Sequence, residues 1–293
     1  MSRIEVLKTY KIYIGGSFPR TESGRYYPLI ANKKTLANMC WSSVKDFRNA
    51  VVAARSAQGA WSHKTAYNRC QILYRIAEVL EGRKAQFVEE LELQGISKTK
   101  AQQEVDLSID RLIYYAGWCD KYTQLFSTVN PVSGSYFNFS VPEPSGVVSV
   151  FAPQQSGLLG LVTQIASVIS GGNTCVVLAS EQLALCAITF GEVLATSDVP
   201  GGVVNILTGN QAELVSQFAA HKDVNAILYC GKDSEIIAKI QDLAIENLKR
   251  VILREDSDYF DDKHESPYLI FDFQEIKTTW HPIEVIAGAG AGY

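Results

Sequence analysis

From Gly146 to Leu253 the chain alternates short apolar runs with longer amphipathic ones, and this rhythm constrains the fold more than any other feature. The apolar runs predict strands over about Val147–Ala152, Thr174–Leu178, Val203–Leu207, Ala226–Tyr229 and Arg250–Leu253. The intervening segments predict helices near Gly157–Ser170, Leu183–Thr196, Gln211–His221 and Asp233–Asn247. Short, wholly apolar strands separated by helices specify a parallel sheet covered on both faces, because each crossover must carry the chain back along the sheet. The expected class is α/β, a Rossmann-like doubly wound sheet. At "VFAPQQSGLLG" (Val150–Gly160) a strand hands the chain to a helix through two amides and a Ser-Gly pair. Such sheets bind small molecules at the carboxyl ends of their strands, beside a helix N-terminus.

Upstream, "YKIYIGGSFPRTESGRYYPL" (Tyr10–Leu29) alternates and then meets Gly-Gly, which predicts a short hairpin strand. Helical spacing of apolar residues follows over about Val44–Trp61, Tyr67–Leu93 and Gln102–Tyr122; these stripes are core faces. "GSYFNFSVPEPSGVV" is rich in β-formers but carries Pro142 and Pro144, a pattern of an edge strand or arm. After Leu253, "REDSDYFDDKHES" (Arg254–Ser266) is polar and acidic and predicts a surface loop. A β-like run, Tyr268–Val285, and a small-residue tail, 286–293, complete the sequence.

The 293 residues carry 27 Lys+Arg against 31 Asp+Glu, a net charge of −4 with no basic run. That balance argues against nucleic acid or an anionic membrane as partner. No apolar run suits a signal peptide or a membrane span, so a cytoplasmic location is expected. Six cysteines lack any C-x-x-C pairing, and four histidines are scattered. Reduced, mostly buried thiols are therefore expected, and no metal site.

Several segments together resemble the aldehyde dehydrogenase superfamily. They are "YIGGSF" (Tyr13–Phe18), "AVVAARSAQGAWS" (Ala50–Ser62), "RLIYYAGWCDKY" (Arg111–Tyr122), "PEPSGVVSVFAP" (Pro142–Pro153), "GGNTCVVLASEQ" (Gly171–Gln182), "PGGVVNILTGN" (Pro200–Asn210) and "NLKRVIL" (Asn247–Leu253). "KTYKIYIGGSFPRTESGR" (Lys8–Arg25) is similar to the non-catalytic second half of the two-domain family 16 enzymes. The resemblance implies a nicotinamide-binding domain, a catalytic domain and a β-armed oligomerisation element. Family chemistry uses a cysteine thiolate in the catalytic domain, and here no cysteine follows Cys230. Arg254 stands where the family's general-base glutamate would, and a guanidinium cannot accept a proton at neutral pH. Glu255, one residue along, points elsewhere if the strand continues.

On the same resemblance, the oxyanion asparagine falls at Gln155 and the tryptophan beside the pyrophosphate at Gln154. The ribose-binding lysine falls at Leu178 and the next proline at Ala179, while Ser180 and Glu181 are kept. Two glycines fall at Gln211 and Val215. Gly231 is kept, with Cys230, Lys232 and Ile236 replacing a threonine, a serine and a later glycine. Lys232 either attracts an anion at a helix start or is a solvated surface lysine. The implied remnant of the cofactor site is thus Pro153, Gln155, Ser180, Glu181 and Gly231, with no catalytic residue, no cofactor, and NAD binding weak if present.

Only residues 254–267 separate the last parallel strand from "FQEIKTTWHP" (Phe273–Pro282), which is similar to the family's C-terminal oligomerisation strand. A domain takes at least about 50 residues, so the catalytic domain is missing. The expected organisation is an N-terminal hairpin and helices (1–134), a first arm strand (135–145), a Rossmann-like core (146–256), a replacing loop (257–267), a second arm strand (268–285) and a tail (286–293). A non-catalytic structural or oligomerisation subunit is the expected function, as a homodimer or with a catalytic aldehyde dehydrogenase. Two alternatives are a nucleotide- or ligand-sensing module in the remnant cleft and an oxidoreductase active only with a catalytic partner.

Overall fold

The computed structural model describes residues 6–255 and 258–283; the expected tail, 286–293, and the end of the second arm strand lie outside them. The first elements are strands β1 (Thr9–Tyr10), β2 (Tyr26–Ala31) and β3 (Lys34–Cys40), ordered β1-β3-β2. The hairpin expected over Tyr10–Leu29 therefore lies further along, between β2 and β3. Its turn is Asn32-Lys33, left-handed at both residues (φ 50° and 63°), a conformation that the sequence does not advertise with glycine. Within the expected region Ile14 bridges Ser17 around Gly15-Gly16, at φ 62° and 81°, while Tyr13 bridges Ile206 of the core.

Helices α1 (Val44–Ser62), α2 (Ala66–Gly82), α3 (Lys84–Leu93), α4 (Lys98–Trp118) and α5 (Tyr122–Phe126) follow. Helix α1 starts at a reciprocal capping box between Ser43 and Asp46. The single helix expected over Tyr67–Leu93 breaks after Gly82, where Arg83 ends α2 and precedes α3. Glycine is a poor helix interior residue, and Arg83 is held there by Gln86 (3.0 Å) and Glu192 (2.6 Å).

Strands β4 (Thr128–Asn130) and β5 (Tyr136–Pro144) precede the alternating core. That core runs β6 (Val147–Phe151), α6 (Leu159–Ser170), β7 (Thr174–Leu178), α7 (Leu185–Ala195), β8 (Val204–Leu207), α8 (Gln211–Ala220), β9 (Ala226–Cys230), α9 (Ser234–Ala244) and β10 (Arg250–Arg254). All strand pairs in it are parallel, in the order β10-β9-β6-β7-β8. Every residue of β6, β7, β8 and β9 is buried, as sequences without alternation require. Two apolar clusters cover the sheet. Val148, Val150, Cys175 and Val177 face α6 and α7, while Val147, Phe151, Val176 and Leu178 face α1 and α8. All of α6 is buried, because it lies between the sheet and the α2–α4 layer.

Helix α10 (Tyr268–Phe271) and β11 (Gln274–Pro282) complete the described chain. The second arm strand is thus shorter than expected, because its first residues form a helical turn. A second sheet has the order β11-β5-β4, so β5 is central and not an edge strand. Its prolines are tolerated for a geometric reason. Ser145 N bonds Phe273 O (3.1 Å) and Ile283 N bonds Ser135 O (2.9 Å), so odd-numbered residues of β5 pair with β11. Pro142 and Pro144 would direct their missing N–H toward β4, but β4 ends opposite Ser140. Among the aromatic residues of the two arm segments, Phe273 is fully buried in the core and Phe271 stacks on Phe126 at 4.4 Å. Phe137 and Trp280 remain exposed, at 47% and 59%.

Candidate functional site

The carboxyl end of β6 opens on Pro153, Gln154 and Gln155, with the N-terminus of α6 behind them. A helix start offers unpaired N–H groups that suit an anion. Here the anion is the protein's own. The Glu104 carboxylate, brought in by α4 and 4% exposed, accepts from Leu158 N (2.8 Å), Leu159 N (3.1 Å) and Ser156 Oγ (2.8 Å). Ser156 Oγ in turn accepts from Gly160 N (2.8 Å). Glu104 was not among the residues singled out from the sequence. A carboxylate on a buried helix stripe is the one signal that pointed to it.

Gln154 latches the next loop. Its Nε2 donates to Ala152 O (3.0 Å), and its Oε1 accepts from Glu181 N (3.0 Å). Ser180 Oγ donates to Gln154 O (2.9 Å) and accepts from Leu183 N (3.1 Å). The Glu181 carboxylate accepts from Asn210 Nδ2 (3.0 Å), and its carbonyl from Tyr27 Oη (3.1 Å). Ser180 and Glu181 thus come together with Gln154, and both are engaged in internal bonds. Leu178, which ends β7, is wholly buried against the α1 and α8 side of the sheet. Val215 is 2% exposed, and Ile236 packs against the same cluster from α9. Gly231 follows β9, where a Cβ would lie 2.7 Å from the Tyr229 ring. Pro153 is buried, while Gln155 is exposed.

Gln155 and Ser156 line a cleft of about 860 Å3 between α4 and residues 258–260, with Lys100, Glu104, Tyr259 and Phe260 on its walls. The segment expected as a surface loop after β10 is therefore more than one. Tyr259 and His264 are 3% and 8% exposed and stack at 4.4 Å. Tyr115 Oη donates to His264 O (3.0 Å), Gln164 Nε2 to Tyr259 Oη (3.2 Å), and the buried Arg111 pairs with Glu265 (3.4 Å). Burial pushes His264 down to about 4, helped by the positive charge of Arg111 and Lys263. Two aromatic-size rings in an acidic stretch were the available signal, and composition outweighed them.

Arg254 holds this segment to the core. It donates to Gln164 Oε1 and to Asp272 (2.7 Å), and its guanidinium lies 5.3 Å from the centre of the Phe273 ring. A planar, permanently charged fork suits this bridging role. The thiols offer no activated nucleophile among those with a shifted acidity. Burial raises Cys40, Cys70, Cys175 and Cys186, and takes Cys119 up to about 12. No disulfide joins the six cysteines, and among the described residues no cluster of three or more His, Cys, Asp or Glu side chains suits a metal. Among the described residues no helix is long and apolar enough to cross a membrane.

A family model described as the aldehyde dehydrogenase family matches residues 21–256. The chain is 32% identical over 254 residues to the putative aldehyde dehydrogenase DhaS of Bacillus subtilis, covering 84% of this chain and 50% of that protein. It is 33% identical over 256 residues to retinal dehydrogenase 2 of Mus musculus, covering 84% of this chain and 48% of that protein. Among solved structures, the NAD+ complex of an aldehyde dehydrogenase from Bacillus cereus superposes with a TM-score of 0.79 at 26% identity, covering 85% of this chain and 51% of that one. The chain spans about half the length of these relatives.

Proposed function

This chain belongs to the aldehyde dehydrogenase family, and from that premise we propose that it is a non-catalytic subunit whose β11-β5-β4 sheet serves oligomerisation. One observation carries the reading. Where the resemblance places the base and then the nucleophile-bearing domain, the chain closes on itself through Arg254, Tyr259, His264 and Asp272. Arg254 cannot take a proton, and its hydrogen bonds fix it to structure. Oligomerisation is supported by exposed apolar side chains on both faces of the three-stranded sheet, Val129 and Phe137 on one and Ile276 and Trp280 on the other. A thin sheet with apolar side chains exposed on both faces favours a covering partner, a second copy or a catalytic aldehyde dehydrogenase.

The residues at the remnant cleft do not fit a dinucleotide. Glu104 fills the helix start that a pyrophosphate would approach, Gln154 ties Glu181 down, and Leu178 offers no ribose hydrogen bond. The reading therefore includes no cofactor and derives no chemical step from one.

Purified chain incubated with NAD and simple aldehydes tests the proposal. No NADH is expected. Turnover abolished by replacing any one cysteine, Cys230 first because it adjoins Gly231, would overturn the reading. A chain that stays monomeric at micromolar concentration and binds no aldehyde dehydrogenase would remove the oligomerisation half of it.

A further inference from the structure

We propose that the chain pairs with a second copy of itself along the outer edge of β11, antiparallel, in the register that sets Thr278 opposite Thr278. This rests on the oligomerisation reading and names its partner and its contact. Strand β11 is the edge of its sheet, and eight of its nine residues are exposed or half-buried. The bonds that place Phe273 and Ile283 opposite Ser145 and Ser135 set the phase of the whole ladder. Odd-numbered residues of β11 spend their backbone groups on β5. Ile276, Thr278 and Trp280 therefore direct theirs outward, where a further strand can meet them.

The phase leaves only registers that oppose even-numbered residues to even-numbered ones. With the two-fold axis at Thr278, Ile276 faces Trp280 and Glu275 faces His281 across the seam. Both are favourable cross-strand pairs, apolar with aromatic and acid with base. Lys277 then faces Thr279 while keeping its ion pair to Glu143 within its own sheet (2.9 Å). An axis at Lys277 would set lysine against lysine, and an axis at Thr279 would set Lys277 against His281. An axis at Ile276 would leave Trp280 beyond the end of the seam. Only Thr278 satisfies charge and apolar pairing together.

The two copies would form one six-stranded sheet. On one face, Trp280 already meets Tyr136 edge-on at 5.7 Å, and Ile276 of the second copy would extend that cluster. Ile276 and Trp280, 48% and 59% exposed, would lose water together. Pro282 has no N–H to give and closes the seam at its end. Self-complementarity about a two-fold axis is what an isologous dimer requires.

Sedimentation of the full chain tests this. Thr278→Pro removes an outward N–H and no backbone bond of the β11-β5 ladder, losing within the sheet only the Thr278 hydroxyl bond to Ser140 (2.8 Å), so it is expected to stay folded and to lose the dimer. Mixing Lys277→Cys chains with Thr279→Cys chains under mild oxidation is expected to give a covalent dimer, with wild type as the control for native thiols. Should Thr278→Pro fail to fold, the cysteine pair decides. A wild-type dimer that Thr278→Pro leaves intact, or cysteines that do not cross-link, overturns this pairing while oligomerisation stands. A wild-type chain that is monomeric alone but co-sediments with a full-length aldehyde dehydrogenase does the same. Aldehyde oxidation by chains that still cross-link overturns the non-catalytic reading and leaves the pairing.

Discussion

Glu104 shows how one side chain can occupy the place where ligands enter such folds. A carboxylate that caps a buried helix start satisfies several N–H groups at once. Glu104→Ala should destabilise the chain by about 1–3 kcal/mol, because those donors are left buried without a partner. Urea unfolding measures it, and a loss below about 0.5 kcal/mol would show that water replaces the carboxylate at no cost. His264 makes a second claim at this scale. Its folded value, about 4, lies below the ordinary 6.5, so only the unfolded chain takes up the proton between those values. Stability should be flat above pH 6.5, fall between pH 6.5 and 4, and level off below, a loss on the order of 2–3 kcal/mol. His221, also lowered by burial, shifts stability in the same direction below pH 6.5. The diagnostic is therefore the difference between wild type and His264→Phe, which keeps a ring against Tyr259. If both lose the same stability from pH 6.5 to 5, His264 is not the titrating group.

Elements divide differently from the sequence pattern in the C-terminal region. What reads as one strand is a helical turn that plugs the core, followed by an exposed strand. Ile270 and Phe273 are wholly buried, Phe273 O accepts from Ser145 N (3.1 Å) and Asn173 Nδ2 (3.0 Å), and Gln274 donates to Gly171 O (3.2 Å). Deleting residues 276–293 should leave a folded chain with a similar melting temperature. Deleting 268–293 should not, since removing a buried phenylalanine alone costs about 3–5 kcal/mol. Thermal melts of the two truncations check this, and equal melting temperatures would show that α10 is dispensable.

For the whole molecule, the closure after β10 and the occupation of the α6 start by Glu104 predict indifference to nucleotide. A ligand that binds only the folded state at a hundred times its dissociation constant stabilises it by about 2.7 kcal/mol, a shift of several degrees in melting temperature. NAD at millimolar concentration should give no shift. A rise of several degrees would mean that Gln154 and Glu181 yield to the nucleotide, and would restore the sensing alternative.

The sequence by itself determined the parallel core, because buried strands between helices read as uninterrupted apolar runs; Thr174–Leu178 falls on β7 residue for residue. It also carried the family, since ordered landmarks are local in sequence. Tertiary structure alone decided the rest. Which strand of the arm is central depended on β4, three residues too short to carry a pattern. Whether Tyr259 and His264 lie in solvent or under Arg111 and Gln164 depended on helices about 100 to 150 residues away. Which group fills the start of α6 depended on α4 crossing beside it, with Glu104 separated by 54 residues from the N–H of Leu158. Periodicity records how each segment meets water, and contacts between distant segments leave no such record.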